Sequence, residues 1–203
     1  MIFNNDFSGK TIDPDPFVQF KSWYSKHLTF GIAIPAAVTL ATSNKDGKVS
    51  ARTVLLKGYN KKGFVIYTNY NSKKGSQLLS NHFAALLFYW PELGRQIRIE
   101  GITEKVGDKD SESYFKKRPR ESQLSAWASE QSKVIPSRQY LENRYDFYKD
   151  RYADKTVDRP QHWGGFRLIP EWFEFWEERE FRLHDRLVYT KRENLWVIER
   201  LAP

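Results

Sequence analysis

The feature that most constrains the fold is a succession of short strand-like segments separated by tight-turn signals. Residues 36–42, 49–59 and 64–69 are rich in strand-forming side chains. The motif Asn44-Lys45-Asp46-Gly47 separates the first two segments, and Asn60-Lys61-Lys62-Gly63 separates the last two. Turns this short join antiparallel strands, because parallel strands need a much longer crossover. The pattern therefore predicts an antiparallel meander.

The same alternation continues to the C-terminus, with helices inserted between strands. We expect further strands over residues 83–90, 96–106, 165–168, 172–176, 182–189 and 195–201, and helices over residues 16–28, 73–80, 108–117, 121–129 and 138–151. Short antiparallel strands with peripheral helices indicate a mainly β, α+β chain, built as a closed or split β-barrel. The length of 203 residues suits a single domain, residues 1–203, in which residues 1–13 are expected to be a flexible N-terminal segment.

Composition excludes several classes of function. The net charge of +8 is compatible with nucleic acid, anionic membranes or phosphorylated small molecules, but the basic residues are dispersed and form no tail or arm. Cysteine is absent, and the four histidines lack zinc-site spacing, so we expect no disulfide and no metal. Neither a secretory signal nor a membrane-spanning apolar run is recognisable. We expect a cytoplasmic protein that binds neither nucleic acid nor membranes.

One motif, Arg182-Leu183-His184-Asp185-Arg186, concentrates cations and an imidazole within a predicted strand. In an extended chain Arg182, His184 and Arg186 would share one face of the sheet, with Asp185 on the other. Such a face suits an anionic substrate, with a histidine that orients it or handles a proton. The alternative is a solvated outer face whose charges are balanced locally, and the spacing alone favours this alternative.

Three other groups of residues suit anion binding, although each also has a purely structural explanation. Arg52 and Lys57 flank an apolar strand, but their spacing of five places them on opposite faces unless the strand is interrupted. Ser72 can cap a helix that begins with Lys73-Lys74, close after Tyr67-Thr68-Asn69, and free helix amides with two ammonium groups suit phosphate. Tyr114, Arg118 and Ser122 lie four residues apart, although Pro119 is expected to break their helix.

Taken together, these motifs resemble the pyridoxine/pyridoxamine 5'-phosphate oxidase family, FMN-binding flavoproteins with a split barrel. The matching stretches run in family order from about residue 14 to the C-terminus. They are Arg52-Thr53-Val54-Leu55-Leu56-Lys57, Tyr67-Thr68-Asn69, Ser72-Lys73-Lys74, Arg95-Gln96, Tyr114-Phe115, Arg118-Pro119-Arg120, Ser122-Gln123, Ala126-Trp127, Gln131-Ser132, Trp163-Gly164-Gly165-Phe166, Phe175-Trp176, Arg182-Leu183-His184-Asp185-Arg186 and Arg200-Leu201-Ala202-Pro203.

The resemblance implies a homodimer with FMN bound at the subunit interface. Implied FMN contacts are Arg52, Thr53, Val54, Leu55, Leu56, Lys57, Tyr67, Thr68, Lys73, Lys74, Gln96, Gln131, Ser132, Trp176 and Arg186. Implied substrate contacts are Lys57, Tyr114, Arg118, Ser122, Arg182, Leu183 and His184, of which Arg182 and His184 are the catalytic pair.

The implied reaction is oxidation of pyridoxine 5'-phosphate or pyridoxamine 5'-phosphate to pyridoxal 5'-phosphate. A hydride passes from the substrate C4' carbon to flavin N5, and O2 is reduced to H2O2. Two alternatives remain: a split-barrel flavin oxidase for another substrate, as in phenazine biosynthesis, and a non-catalytic flavin-binding protein. The intact substrate set argues against both.

Two departures from the family pattern concern substrate and phosphate contacts. The family commonly has Arg where this chain has Lys73, which keeps the charge but loses a forked grip on phosphate. A basic Arg-Arg-Glu-Tyr-like segment that can cover the substrate is replaced here by Asn4-Asn5-Asp6-Phe7. This replacement puts lid closure or substrate choice in question.

Overall fold

The structure, a computed structural model, describes residues 12–193 and 195–203. The tetrapeptide Asn4-Asn5-Asp6-Phe7 and most of the predicted N-terminal segment lie outside the described residues. Of that segment, Ile12 is buried, and the carbonyl of Asp13 accepts a hydrogen bond from the Tyr189 hydroxyl at 2.5 Å. Among the described residues, none of the helices combines the length and apolar character needed to cross a bilayer.

The described chain contains five α-helices and nine strands. The helices are α1 (Pro16–Leu28), α2 (Lys73–Ser80), α3 (Asp108–Lys116), α4 (Arg120–Ala128) and α5 (Arg138–Tyr152). The strands are β1 (Ala37–Ser43), β2 (Val49–Leu55), β3 (Gly58–Asn60), β4 (Gly63–Asn69), β5 (Phe83–Trp90), β6 (Arg95–Lys105), β7 (Trp163–Glu177), β8 (Asp185–Arg192) and β9 (Leu195–Arg200). The predicted helices are confirmed, and so is the Ser72 cap, whose hydroxyl accepts the N–H of Gly75. Helix α1 is capped by Asp15, whose carboxylate accepts the N–H of Phe17.

All nine strands form one antiparallel sheet organised around β7. The order is β2-β1-β5-β6-β7-β4-β3, and β8 and β9 extend from β7 as well. One edge of β7 pairs with β6, while its other edge pairs with β4 along residues 163–168 and with β8 along residues 172–177. Two different strands therefore share one edge of β7, and the curled sheet divides there into two arms. The prediction of a mainly antiparallel split barrel is confirmed.

The predicted strand over residues 49–59 is wrong, because the chain changes pairing partner in its middle. The Leu56 N–H donates to the carbonyl of Ala36 at 2.8 Å, next to β1. The N–H of the following residue, Lys57, donates to the carbonyl of Val65 in β4 at 2.8 Å. This switch ends β2 and begins β3, and it supplies the interruption that a ligand shared by Arg52 and Lys57 requires.

The two strands predicted over residues 165–168 and 172–176 are in fact one continuous strand, β7. Pro170, in the gap between the two predicted segments, is accommodated where β7 changes partner. Pro170 lies between the stretch paired with β4 and the stretch paired with β8, and its only ladder partner is Gly101 of β6. Its missing N–H therefore removes no bond from the edge that β4 and β8 share. A Cβ atom at Gly101 would lie 2.0 Å from the Ile169 carbonyl oxygen, which explains the glycine at the adjoining β-bulge.

The strand predicted over residues 182–189 begins only at Asp185. Arg182 belongs instead to a 3-10 turn, Glu180–Arg182, in which Phe181 and Arg182 have φ values of 55° and 63°. The alternation of side chains along an extended strand therefore does not apply to Arg182 and His184. The prediction that Arg182 and His184 share one face of a strand is therefore wrong.

Two hydrophobic clusters hold the sheet and helices together. The first fills the curl of the sheet and includes Phe20 and Trp23 of α1, which are 0% and 3% exposed. The second lies beneath α3, α4 and α5 and contains Phe115, Leu124 and Trp163. Because the second cluster anchors the helical layer against the start of β7, it fixes the distance between that layer and the barrel. The space left between them is the cavity described next.

Candidate functional site

A cavity of about 570 Å³ lies between the β2–β3 switch, β4 and helices α3 and α4. Its wall gathers residues that the sequence assigned separately to FMN and to substrate. It is formed by Thr53, Val54, Leu55, Lys57, Tyr67, Thr68, Asn69, Lys74, Tyr114, Lys117, Arg118, Pro119, Ser122, Ser125, Ala126, Ser129, Gln131 and Trp163. The cavity is therefore the first of two parts into which the predicted site residues fall.

Lys74 supplies a half-buried cation at one end of the cavity. It lies in the first turn of α2, where the Ser72 cap leaves other amides free. Its Nζ donates to Thr68 Oγ1 at 3.0 Å and to Gln131 Oε1 at 3.3 Å. Burial, and then the positive charge of Arg52, lower the pKa of Lys74. Both acceptors are neutral, so the ammonium charge is not balanced by its hydrogen-bond partners.

Arg52, on β2, lies outside the cavity wall but close enough to Lys74 to affect its charge, and it is a second cation held by neutral acceptors. Its guanidinium donates to the Leu40 carbonyl at 3.0 Å, to Thr42 Oγ1 at 2.6 Å and to Ser50 Oγ at 2.9 Å. Burial lowers its pKa. Two neighbouring cations without a carboxylate repel each other, and an anion placed beside them relieves that repulsion.

Arg118 is the third cation, and it has an unused donor. The break predicted at Pro119 is confirmed, since α3 ends at Lys116 and α4 begins at Arg120. Arg118 Nη1 is buried and has no hydrogen-bond partner among residues 12–193 and 195–203, while the guanidinium carbon lies 4.6 Å from the centre of the Trp163 ring. Burial lowers the pKa of Arg118. Leaving a buried donor unsatisfied is costly, so this geometry favours an anionic ligand that accepts from Nη1.

A stack of three aromatic rings forms the wall beside Arg118. The rings of Tyr67 and Tyr114 lie 4.0 Å apart at 9°, and Trp163 lies 5.5 Å from Tyr67 at 10°. Trp163 begins one of the family-matching stretches but was not among the predicted ligand contacts. The two glycines after it were the available signal: a Cβ at Gly164 would lie 2.0 Å from the Tyr70 hydroxyl, so this part of β7 must approach other aromatic residues closely.

The second part of the predicted site lies on neighbouring strands β6, β7 and β8. Gln96 pairs with Trp176, and Trp176 pairs with Arg186, so the three side chains lie in one row across the sheet. The His184 ring lies 4.6 Å from the Trp176 ring. None of these residues lines the cavity, so the described chain does not bring the two parts together in one pocket.

A buried carboxylate anchors the second part. Glu174 is 1% exposed and accepts hydrogen bonds from Arg98 Nη1 at 2.9 Å and from Arg186 Nε at 2.5 Å. Arg186 Nη1 also donates to the Ala202 carbonyl at 2.9 Å. These contacts fix the Arg186 guanidinium through its Nε and Nη1 nitrogens.

The remaining predicted residues lie outside the cavity wall. The side chain of Leu56 is buried in the first hydrophobic cluster, so only its backbone could contact a ligand. Lys73, Ser132, Arg182 and Leu183 are exposed, and Ser132 has a φ of 72°. Nothing in the described residues brings these four into contact with the cavity.

Comparison with known protein families gives two matches that together cover most of the chain. A family described as pyridoxamine 5'-phosphate oxidase matches residues 26–147, and one described as pyridoxine 5'-phosphate oxidase C-terminal dimerisation region matches residues 163–203. A pyridoxine/pyridoxamine 5'-phosphate oxidase from Gloeothece citriformis is 54% identical over 192 residues, which cover 94% of this chain and 90% of that protein. The corresponding protein from Burkholderia multivorans is 51% identical over 193 residues, 94% of this chain and 90% of that one.

Solved structures agree with this fold. PhzG from Burkholderia lata, in complex with tetrahydrophenazine-1-carboxylic acid, superposes with a TM-score of 0.89 at 28% identity, covering 94% of both chains. A pyridoxamine 5'-phosphate oxidase-related, FMN-binding protein from Nostoc punctiforme superposes with a TM-score of 0.72. At 15% identity, covering 95% of this chain and all of that one, the second likeness concerns the fold alone.

Proposed function

The chain belongs to the pyridoxamine 5'-phosphate oxidase family of split-barrel flavoproteins, and on that premise we propose that it oxidises pyridoxine 5'-phosphate and pyridoxamine 5'-phosphate to pyridoxal 5'-phosphate with FMN. The observation that carries this proposal is the unsatisfied, buried Nη1 of Arg118 in a cavity rich in uncompensated cations. A phosphorylated aromatic substrate supplies both the charge and the flat ring that such a cavity accommodates.

FMN suits one end of the cavity because its phosphate is a dianionic group that needs cations and amide donors. Arg52, Lys74 and the free amides at the start of α2 provide them, and Thr68 and Gln131 hold Lys74 in place. FMN held by these groups would supply the redox chemistry, hydride transfer from the substrate and reoxidation by O2. The residues of the chain bind and orient both molecules.

The substrate phosphate suits the Arg118 end of the cavity. Tyr114 and Ser122 line the same wall as Arg118 and add hydroxyl donors. Because Arg118 is already desolvated and held against Trp163, the site reorganises little when a phosphate arrives. In this proposal Lys57, at the β2–β3 switch, lies between the two phosphate sites and contacts both ligands.

The second part of the site is proposed to complete the cavity of a partner subunit. Trp176, His184 and Arg186 fall within the region matched by the family's C-terminal dimerisation region. In this proposal this part of one chain meets the cavity of the other, and the two-fold symmetry of the dimer then repeats the same contact at the second cavity. Arg182 and His184 would then lie over the substrate ring, where they orient it and are available for proton transfer.

The likeness to PhzG supports a second candidate, a flavin oxidase that acts on a phenazine precursor. The ligand in that structure carries a carboxylate rather than a phosphate. The pairing of Arg118 with hydroxyl groups from Tyr114 and Ser122 favours the tetrahedral, multiply charged phosphate, which can use all three donors. The higher identity to named pyridoxine/pyridoxamine 5'-phosphate oxidases also favours the first candidate.

An absorbance titration tests the proposal. The purified protein is expected to be yellow, and anaerobic pyridoxamine 5'-phosphate should bleach the oxidised flavin band. Pyridoxamine without phosphate, at the same concentration, is the matched control and should bleach it far more slowly. A flavin-loaded protein that a phenazine precursor reduces and pyridoxamine 5'-phosphate does not would refute the first candidate and support the second.

A further inference from the structure

The turn that joins β7 to β8 carries His184 and adopts an unfavourable backbone conformation. Phe181 and Arg182 both have positive φ, which residues other than glycine adopt rarely. The side chains of Phe181 and Leu183 are 87% and 67% exposed, so they contribute little packing that could hold the turn. Contacts at the base of the turn must therefore maintain its shape.

Arg179 makes those contacts from inside the turn. Its Nη2 donates to Glu177 Oε2 at 2.8 Å, and its Nε donates to Asp185 Oδ2 at 2.6 Å. Glu177 and Asp185 are directly opposite each other in the last pair of the β7–β8 ladder. Two carboxylates in such a pair repel, and Arg179 is the guanidinium that bridges both, while Arg95 binds Glu177 and Arg200 binds Asp185 from outside the turn.

The backbone of the same residue fixes the His184 ring. The Arg179 N–H donates to His184 Nδ1 at 3.2 Å. An amide N–H can only donate, so Nδ1 must carry a lone pair, and the proton of the neutral ring is on Nε2. The ring also packs against Trp176 at 4.6 Å between centroids. His184 is therefore held as a hydrogen-bond donor through Nε2.

We infer that Arg179 is a positioning residue that holds the 177–185 turn and presents His184 as an Nε2–H donor to an acceptor atom on the substrate. The inference rests on the proposed function for the identity of that substrate. It assigns His184 the role of donor in its neutral form, because a ring whose Nδ1 accepts from Arg179 has no free lone pair with which to take a proton.

A double-mutant cycle tests whether Arg179 acts through His184. The variants are Arg179→Gln, His184→Ala and both together, and the measurement is the anaerobic rate of flavin reduction at saturating pyridoxamine 5'-phosphate. Arg179→Gln alone should slow reduction by about tenfold to a hundredfold, because misplacement of a contact by an ångström has effects of that size. In the His184→Ala background the same change should cost less than about threefold, because the group it positions is gone.

Arg95→Gln is the matched control. Arg95 donates to Glu177 Oε1 at 2.6 Å, so it shares the Glu177 carboxylate with Arg179, but its guanidinium packs over the Trp23 ring and does not bridge to Asp185 as Arg179 does. The control should lower thermal stability without slowing flavin reduction. Equal slowing by Arg95→Gln and Arg179→Gln, or full additivity with His184→Ala, would overturn the inference and leave Arg179 with a merely structural role.

A second readout needs neither substrate nor turnover. In FMN-loaded protein with 15N-labelled histidine, long-range proton–nitrogen spectra report which ring nitrogen carries the proton, and His184→Ala assigns the signal. The parent should show protonation at Nε2, and Arg179→Gln should show a mixture of both tautomers. An Nδ1–H tautomer in the parent overturns the inference. If pyridoxamine 5'-phosphate fails to reduce the parent flavin, the proposed function falls, while the tautomer measurement still decides the role of Arg179.

Discussion

Replacing Arg118 with Met distinguishes the effect of the guanidinium on the free energy of unfolding from its effect on substrate binding. Met keeps the apolar stem and removes the guanidinium. The buried Nη1 has no partner within the described part of the chain, which costs about 1 to 3 kcal/mol. The cation–π contact of Arg118 with Trp163 stabilises the folded protein by about 0.5 to 2 kcal/mol. These two effects offset each other, so we expect Arg118→Met to change the free energy of unfolding by less than about 1 kcal/mol.

The same change should weaken binding strongly. A charged hydrogen bond to phosphate contributes about 1.5 to 3 kcal/mol, which corresponds to a loss of roughly ten- to a hundredfold in affinity for pyridoxamine 5'-phosphate. Steady-state kinetics should show this loss in KM, and pyridoxamine without phosphate should be unaffected. Urea unfolding of the same samples gives the free energy of unfolding.

Arg120→Met is the control for this prediction. Arg120 donates to the carbonyls of Tyr152, Ala153 and Lys155 at 2.8 to 3.0 Å, and none of these contacts faces the cavity. Its loss should destabilise the fold by about 1 to 2 kcal/mol, since those carbonyls lose a charged donor, and leave KM unchanged. If Arg118→Met leaves KM for the phosphorylated substrate unchanged, or if both variants lose stability equally, the reasoning about an unsatisfied cation is refuted.

Three further predictions follow from the site and its surroundings. Lys74→Ala should weaken FMN binding by about ten- to a hundredfold in a fluorescence titration, because it removes a charged contact to the phosphate, and unchanged affinity would remove Lys74 from the site. Lys74→Ala subunits mixed with His184→Ala subunits should recover about a quarter of parental activity, since each hybrid dimer contains one intact site; no recovery would contradict a site shared between subunits. His27 is 5% exposed, its Nδ1 has no partner, and burial lowers its pKa below the usual 6.5. The unfolded chain therefore binds a proton that the folded chain resists, and stability should fall as pH falls through 6.5. In His27→Phe, which keeps a ring against Trp90, the melting temperature should depend less on pH between 8 and 5, and an unchanged dependence would contradict this explanation.

The sequence alone determined the features that depend on local interactions. Helix α2 could be predicted at its observed limits, because Ser72 caps it and Asn81 follows it. The break between α3 and α4 could be predicted from Pro119, since proline lacks an N–H and excludes the preceding residue from the helical conformation. The antiparallel meander followed from turn residues that favour short connections. The family resemblance also identified residues of the cavity wall, such as Lys74 and Arg118, without indicating how they meet.

Only the tertiary structure decided which strands pair and where each ladder ends. The β2–β3 switch, the single long β7 and the late start of β8 each depend on partners distant in sequence, which local propensity cannot reveal. The conformation of Arg182 is the clearest case. Its neighbours favour a strand, yet the ion pairs that Arg179 forms with Glu177 and Asp185 hold a turn with positive φ there. Long-range contacts outweigh local preference at this position, because charged hydrogen bonds at the base of the turn offset the backbone strain at its tip.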